Sequence, residues 1–394
     1  MRLVVVTREY PSVTSYYGGI GVHLARLVPE LARLGQDVHL LVPVDDDSRE
    51  VHRDGATFHL IRKHRMRGLW PLTEMRWGLL ADRWLRESGP FDLVFAPEWG
   101  GDAWRYARHK RAGPLVTQLT TSLEQVLLVS SGLPRSRGIR VYNAIQSRLE
   151  RAQTERSDAL LAISRSVLHW TRELWDVASM PATVLPNPID VGHTRLLGAG
   201  EPPPGFPASG PVIAFAGRLE PRKGVDVLVE AMREVWERFP DAHLVLAGHD
   251  SPGRRGPMSE RLLRLAGPSV KRMHLLGHLG PEHLYPALAA ADVVALPSRW
   301  EAFGNVGLEA MALGCAVVLT TGGGFEEYCR HRQDGLLVPP GDAGALAAAL
   351  IDLLGDPELR ARLGSSAAEK ATEYDAPVIA ARYASFFEAT AAGV

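Results

Sequence analysis

The stretch S-R-W-E-A-F-G-N-V-G-L-E, residues 298–309, decides the fold because it joins a buried strand to a helix. The short apolar run before it, residues 292–297, is typical of a strand in the interior of a parallel sheet. Residues 306–314 behind it predict a helix that ends at a glycine. The stretch therefore lies at the carboxyl end of a strand, where open α/β sheets bind their ligands.

This stretch carries two glutamates, Glu301 in the loop and Glu309 about one turn into the helix, which we expect to face one crevice. Gly304 and Gly307 let backbone N–H groups approach an anion at the helix N-terminus. Carboxylates that accept hydroxyl hydrogen bonds, beside amides that hold phosphate, suit a nucleotide sugar. Taken by itself, the spacing fits a buried acid and a helix cap equally well.

A second stretch, A-F-A-G-R-L-E-P-R-K-G at residues 214–224, favours the ligand-binding interpretation. It begins as a strand and places Arg218 and Lys223 just before a helix predicted at residues 225–239. Two cations bracketed by glycines at such a turn are well suited to neutralising a diphosphate.

Together, G-R-L-x-x-x-K-G followed by E-x-F-G-x-x-x-L-E resembles the nucleotide half of the retaining family 4 glycosyltransferases (glycosyl transferases group 1). The resemblance covers most of the chain and is weakest between about residues 45 and 89. It implies the α/β GT-B fold, in which two doubly wound Rossmann-like domains face each other across a cleft. It also implies transfer of a hexosyl group, with retention, from a nucleotide-diphosphate sugar to a hydroxyl-bearing acceptor (a glycan, a lipid-linked or a small-molecule hydroxyl).

The resemblance assigns roles to individual residues. Arg218 and Lys223 would stabilise the departing diphosphate and Glu301 would position the sugar hydroxyls, so these three are the predicted catalytic residues. Glu309 would bind the ribose diol. The other predicted donor-binding residues are Gly18 and Gly19 against the donor phosphates, Gly277 and Leu279 beside the base, and Gly217, Phe303, Gly304, Asn305 and Val306. Gly18 and Gly19 also fit a plain tight turn, and with Gly21 they do not complete a dinucleotide-binding fingerprint.

The predicted acceptor side rests on two strand ends in the first half of the chain. Glu98 and Trp99 follow a strand that ends at residue 96, and they suit a sugar-like acceptor because aromatic faces stack on sugar rings while acids bind hydroxyls. Many family members carry a histidine at the end of the next strand, where this chain has Leu119 or Thr120. That role is left unfilled, or is filled by Gln118, Thr120 or Glu98.

The length of 394 residues predicts two or more domains. We place an acceptor-side domain at residues 1–195, a linker rich in proline and glycine at 196–211, and a nucleotide-sugar-binding domain at 212–374. Residues 375–394 predict a helix that, in GT-B proteins, crosses back onto the first domain.

Composition excludes several classes of function. A net charge of −1 offers no electrostatic case for nucleic acid, and no apolar run approaches the ~20 residues of a membrane helix. The acidic run at residues 45–47 fits a solvated loop, so we predict no metal ion and no cofactor beyond the donor substrate. The basic run at residues 62–67 fits a solvated edge, an anionic-acceptor contact or a peripheral membrane contact. Two cysteines, too few for a disulfide framework, favour a cytoplasmic setting.

Three other functions stay open at this stage: a sugar-nucleotide epimerase of the same fold, a nucleotide-sugar-binding protein with weak or lost turnover, and a nicotinamide dehydrogenase. The missing dinucleotide fingerprint disfavours the last. Retention through front-face attack is implied by the resemblance, whereas the residues alone equally allow a glutamate nucleophile.

Overall fold

The computed structural model describes residues 1–11, 13–14, 18–63, 70–129, 136–250, 252–253 and 256–393. These described residues fall into two compact units. The first consists of residues 1–128, 136–188 and 376–393, and the second of residue 129 with residues 189–375.

The strands are, in chain order, β1 Arg2–Val6, β2 Asp37–Val44, β3 Arg49–Arg53, β4 Ala56–Arg62, β5 Leu93–Pro97, β6 Leu115–Leu119, β7 Ala159–Ala162, β8 Ala182–Val184, β9 Val212–Ala216, β10 His243–Ala247, β11 Pro252–Gly253, β12 Gly256–Pro257, β13 Met273–Gly277, β14 Val293–Leu296, β15 Ala316–Thr320 and β16 Leu336–Val338. The helices are α1 Gly19–Arg33, α2 Trp70–Ser88, α3 Leu123–Val129, α4 Arg137–Thr154, α5 Arg165–Leu174, α6 Val191–Gly198, α7 Val225–Arg238, α8 Met258–Ala266, α9 Pro281–Ala289, α10 Asn305–Ala312, α11 Ala343–Gly355, α12 Pro357–Ala371 and α13 Ala376–Ala392.

The first unit is built on a sheet whose described strands run in the order β3-β4-β2-β1-β5-β6-β7-β8. All neighbours are parallel except β3 and β4. Strands β5, β6 and β7 are buried along their whole length, as expected for a sheet covered by helices on both faces. The antiparallel β3–β4 hairpin, which the sequence pattern did not reveal, turns at Asp54 and Gly55, both with positive φ.

Helix α13 completes the core of this first unit. Ile379, Tyr383 and Phe387 recur on one face of the helix and are fully buried in the cluster formed by the sheet and α1. The end of the chain is therefore part of the unit that its beginning forms.

The second unit contains the described strands in the order β13-β10-β9-β14-β15-β16, all parallel. The chain leaves β9 toward β10 on one side and later returns to place β14 on the other. Strands β9 and β14 therefore flank a topological switch point, where open parallel sheets bind ligands outside the carboxyl ends of the strands.

The chain leaves the first unit at residue 188 rather than 195, and the second unit begins at Ile189 rather than at residue 212. Helix α6, whose residues the prediction divided between the first domain and the linker, belongs to the second unit. Its Arg195 donates hydrogen bonds to the carbonyls of Ala312 and Ala368, at the ends of α10 and α12. The linker was placed by its proline-rich stretch, but a helix precedes that stretch. The N-terminus of this helix is capped by the Asp190 side chain, which accepts from the His193 N–H.

Candidate functional site

The turn after β9 holds the first group of predicted donor residues. Gly217 has φ +152° and Gly224, at the start of α7, has φ +66°. A Cβ on Gly224 would lie 1.8 Å from the carbonyl oxygen of Pro297, which directly follows β14. Glycine is therefore required here for two reasons, the left-handed backbone and the close approach of the next strand end. This contact brings the two motifs of the sequence together at the switch point.

Lys223 and Glu301 form an ion pair through Nζ and Oε2, and both side chains are mostly buried. The Ser298 hydroxyl lies 3.4 Å from the same carboxylate oxygen. Burial alone would raise the pKa of Glu301, but the charges of Lys223 and Arg222 outweigh it and hold the pKa below its usual value. Glu301 is thus an ionised acceptor-only group at neutral pH.

Two arginines share one carboxylate beside this pair. Glu220 Oε1 lies 2.7 Å from Arg222 Nη2 and 3.5 Å from Arg218 Nη2. Arg222 is mostly buried, whereas 59% of the Arg218 side chain is exposed, so Arg218 is the cation of this turn most open to a ligand. Sequence reasoning missed Arg222. The sequence shows that Arg222 lies between Glu220 and Lys223, but it does not show which of the neighbouring cations is buried.

The turn after β14 holds the second group. Gly304, with φ +84°, begins α10, and Asn305 and Val306 are the first residues of that helix. Phe303 is buried, and so is Glu309, five residues into the helix. The backbone N–H groups of a helix start favour an anion at this end.

The charges of both glutamates of the motif act on one tyrosine, Tyr328. Burial raises the pKa of Tyr328 far above its usual value, and the charges of Glu301 and Glu309 both add to that rise. Tyr328 was not among the predicted residues. It lies in the 3-10 turn region after β15, and only the pairing of β15 with β14 brings it to this place.

The predicted base-contact residues lie on the next strand ends of the same sheet. Gly217, Gly248 and Gly277 follow or end β9, β10 and β13, all with positive φ, and the Gly248 N–H donates to the Gly277 carbonyl at 2.6 Å. Beside them the exposed rings of His249 and His278 stack with centroids 4.0 Å apart. Leu279 follows and is half-buried. A base-contact role for Gly277 and Leu279 stays a prediction.

Gly18 and Gly19 lie in the first unit, at the start of α1. The Glu9 carboxylate accepts hydrogen bonds from the N–H groups of Gly18, at 2.6 Å, and Gly21, at 3.4 Å. A carboxylate of the protein itself thus lies at the helix N-terminus to which we assigned the donor phosphate. No sequence motif indicated this role for Glu9. The phosphate-binding role of Gly18 and Gly19 stays a prediction.

Two of the predicted acceptor-side residues are fully buried. Glu98 accepts at its Oε1 from the Thr120 N–H at 2.8 Å. Gln118 has its amide nitrogen 3.0 Å from His23 Nε2 and 3.4 Å from the Tyr383 hydroxyl. The acceptor-side role of both residues stays a prediction. Thr120 is half-buried, and its neighbour on the β5 loop, Trp99, is also half-buried.

A second buried acid, Glu150, lies near Glu98. It accepts hydrogen bonds from the Gly100 N–H, the Leu123 N–H and the Gln146 side-chain amide, at 2.8–2.9 Å. Burial raises its pKa to about 7 despite these donors. Burial and the charge of Glu150 together raise the pKa of Glu98 well above its usual value. The hydrogen bonds of these two acids link the loop after β5 to the loop after β6.

Other expectations concern groups and surfaces outside this site. Within the described ranges, no cluster of three or more His, Cys, Asp or Glu side chains converges as metal ligands would. None of the helices in the described part of the chain is long and apolar enough to span a bilayer. In the basic run, Arg62 pairs with Asp47 at 2.8 Å and Lys63 with Glu74 at 3.0 Å. Residues 64–67 lie outside the described residues.

Comparison with known proteins agrees with this geometry. The family models "Glycosyltransferase Family 4" and "Glycosyl transferases group 1" match residues 17–193 and 201–370. A phosphatidyl-myo-inositol mannosyltransferase from Mycobacterium leprae is 30% identical over 95% of this chain and 94% of its own length. The chain belongs to the family 4 glycosyltransferases.

Another relative of this family 4 glycosyltransferase is a D-inositol 3-phosphate glycosyltransferase from Saccharomonospora viridis, 30% identical over 91% of this chain and 86% of that protein. Among solved structures, the sucrose-phosphate synthase of Thermosynechococcus elongatus covers 100% of both chains with a TM-score of 0.80 at 22% identity. The predicted GT-B fold is confirmed, as is glycosyl transfer as the class of activity.

Proposed function

We propose that this family 4 glycosyltransferase moves a hexosyl group from a nucleotide-diphosphate sugar to a hydroxyl-bearing acceptor, with retention of anomeric configuration. The observation that carries the proposal is the switch point of the second unit. There Lys223, after β9, pairs with Glu301, after β14, while Arg218 lies on the turn of Lys223 and Glu309 on the helix that follows Glu301. Cations for a diphosphate and carboxylates for hydroxyls are the groups that such a donor needs.

In this proposal Arg218 and Lys223 act on the leaving group. Breaking the bond to the anomeric carbon leaves positive charge on the sugar and negative charge on the diphosphate oxygen. A preorganised cation at that oxygen lowers the barrier by about 3–4 kcal/mol. Lys223, already held by Glu301, is preorganised for this role.

Glu301 would position sugar hydroxyls and Glu309 the ribose diol. An ionised carboxylate accepts hydroxyl hydrogen bonds, and the lowered pKa of Glu301 keeps it ionised. Its ion pair with Lys223 favours positioning over nucleophilic attack. Retention would then follow front-face attack: the acceptor oxygen bonds to the anomeric carbon on the face that the diphosphate leaves, and the acceptor proton passes to the departing phosphate oxygen.

The names of the two relatives suggest the acceptor to test first. Both name an inositol, in one case as a phosphatidyl derivative and in the other as a 3-phosphate. We therefore propose an inositol-derived hydroxyl as the acceptor, with Trp99 and Thr120 as acceptor-side residues. The reaction as proposed needs no metal ion.

The first experiment is a thermal-shift panel of UDP, GDP, ADP and TDP on the wild type, Glu309→Gln and Glu309→Ala. A nucleotide that binds only the folded state should stabilise it by a few kcal/mol at high excess, and both variants should lose that shift. The matching hexose donors are then incubated with inositol 3-phosphate or phosphatidylinositol vesicles, and NMR of the product reads the anomeric configuration. No shift with any nucleotide would contradict the donor site, and a converted donor sugar without acceptor would indicate an epimerase.

A further inference from the structure

Tyr328 has a set of contacts that the proposed chemistry leaves unused. The side chain is 1% exposed, and its hydroxyl donates to the carbonyl of Gly304 at 2.6 Å. The same carbonyl accepts from the N–H of Gly307 at 2.9 Å. The hydroxyl therefore holds the residue at which the chain passes from the Glu301 turn into α10.

The surroundings of Tyr328 keep its hydroxyl in this place. Its ring meets Phe303 edge to face at a centroid distance of 5.3 Å and Phe325 at 6.2 Å. A Cβ on Gly307 would lie 2.4 Å from the Tyr328 oxygen, so α10 leaves room for the hydroxyl by having glycine there. The raised pKa keeps the phenol protonated and able to donate.

The turn that this hydrogen bond holds carries both glutamates of the donor site. Gly304 has φ +84°, a conformation that a glycine samples freely unless other contacts restrict it. Glu301 lies three residues before this glycine and Glu309 five residues after it. Their relative position therefore depends on the backbone of Gly304.

We propose that Tyr328 is a positioning residue of the donor site, whose hydroxyl fixes the Gly304 turn and thereby the placement of Glu301 relative to Glu309. This inference rests on the proposed function and adds to it a residue that neither sequence motif contains. Tyr328 acts through Gly304 and touches no reacting atom.

The test is a set of buried variants with a matched control. Tyr328→Phe removes one hydroxyl and keeps the ring. Tyr106→Phe is the control, because the hydroxyl of Tyr106, a buried tyrosine of the first unit, also donates to a backbone carbonyl, that of Gly113, outside the Glu301–Glu309 turn. Calorimetric titration with UDP, GDP, ADP and TDP measures nucleotide affinity, and thermal unfolding measures stability.

We expect Tyr328→Phe to bind the preferred nucleotide roughly fivefold to tenfold more weakly, because the Gly304 turn loses one hydrogen bond that holds it in its binding conformation. Tyr106→Phe should change affinity by less than about twofold. Both should melt at similar temperatures, which separates positioning of the site from general stability.

Gly307→Ala gives a second, independent variant. In the wild type its methyl group would displace the Tyr328 hydroxyl and weaken binding as Tyr328→Phe does. Wild-type affinity in Tyr328→Phe would overturn the positioning role. Absence of nucleotide binding by the wild type would instead overturn the proposed function itself.

Discussion

At the scale of single residues, the Lys223–Glu301 pair couples the donor site to stability. Glu301 has a lowered pKa, so its stabilising contribution is present above its usual pKa and lost as pH falls through the lowered one. In Lys223→Met the carboxylate stays buried without its main cation, and burial then raises its pKa. The variant therefore loses stability as pH rises, whereas the wild type loses it as pH falls.

We therefore expect Lys223→Met to be destabilised by about 3 kcal/mol at pH 8 and by less at pH 5. Adding Glu301→Gln should recover most of the loss at pH 8, because no buried charge then remains unpaired. Urea unfolding at both pH values measures this. An equal loss at pH 5 and pH 8 would show that Lys223 acts through packing and not through its charge.

For Arg218 we expect a substitution to weaken binding and to leave stability almost unchanged. Its side chain is 59% exposed, so Arg218→Ala should change the free energy of unfolding by no more than about 0.5 kcal/mol. Nucleotide diphosphate should bind tenfold to about a hundredfold more weakly, the range for one hydrogen bond to a charged group. Arg264→Ala, equally exposed on α8 of the same unit, is the control in calorimetric titration. Unchanged affinity in Arg218→Ala would remove Arg218 from the diphosphate site.

At the scale of elements, the proposed donor site is a contact between two strand-to-helix turns. Gly224 combines φ +66° with the 1.8 Å approach that a Cβ would make to the Pro297 carbonyl. Gly322 has a similar φ of +77°, but a Cβ there would meet no described atom within 4 Å. An alanine would therefore have similar backbone strain at both positions, but only at Gly224 would its Cβ collide with another residue.

Gly322→Ala should cost about 1–2 kcal/mol of unfolding free energy, the strain of a left-handed alanine. Gly224→Ala should cost more, about 3 kcal/mol or above, because the turns after β9 and β14 must also separate. It should weaken nucleotide binding as well, whereas Gly322→Ala serves as the strain-matched control for stability. Equal costs would mean that the close approach of the two turns is relaxed without penalty.

At the scale of the whole molecule, buried ionisable groups in the first unit set its response to pH. Burial raises the pKa of Glu150 to about 7, above its unfolded value, so stability is full below the unfolded pKa and is lost as pH rises through 7. Burial lowers the pKa of His23 to about 3, so stability is lost in the other direction as pH falls from the unfolded value toward 3. The first unit should therefore be most stable in mildly acidic solution.

Glu150→Gln tests the alkaline side. The difference in unfolding free energy between pH 5 and pH 9 should shrink by about 2.5 kcal/mol, because about two pH units, from pH 5 to the pKa of about 7, contribute 1.36 kcal/mol each. Part of the alkaline loss should persist, since Glu98 also has a raised pKa. Glu173→Gln, an exposed acid on α5, is the control and should leave the difference unchanged. An unaltered pH dependence in Glu150→Gln would mean that Glu150 is already ionised at pH 5.

The sequence by itself determined most of the strands and helices and the position of both predicted donor motifs. These follow from local signals: apolar runs for buried parallel strands, and glycines at turns where the backbone needs positive φ, as at Gly217, Gly224 and Gly304. The family resemblance of the same motifs identified the class of reaction.

Only the tertiary structure decided which side chains those turns bring together. Glu98 and Gln118 follow the same strand-end pattern as Glu301, yet they are buried in hydrogen-bonded packing, whereas Glu301 pairs with Lys223. Tyr328 reaches the Gly304 carbonyl because β15 pairs with β14, and Ile189 rather than residue 212 opens the second unit because α6 packs there. Burial and pairing depend on neighbours distant in sequence, and a local pattern contains no information about which neighbours the order of the sheet supplies.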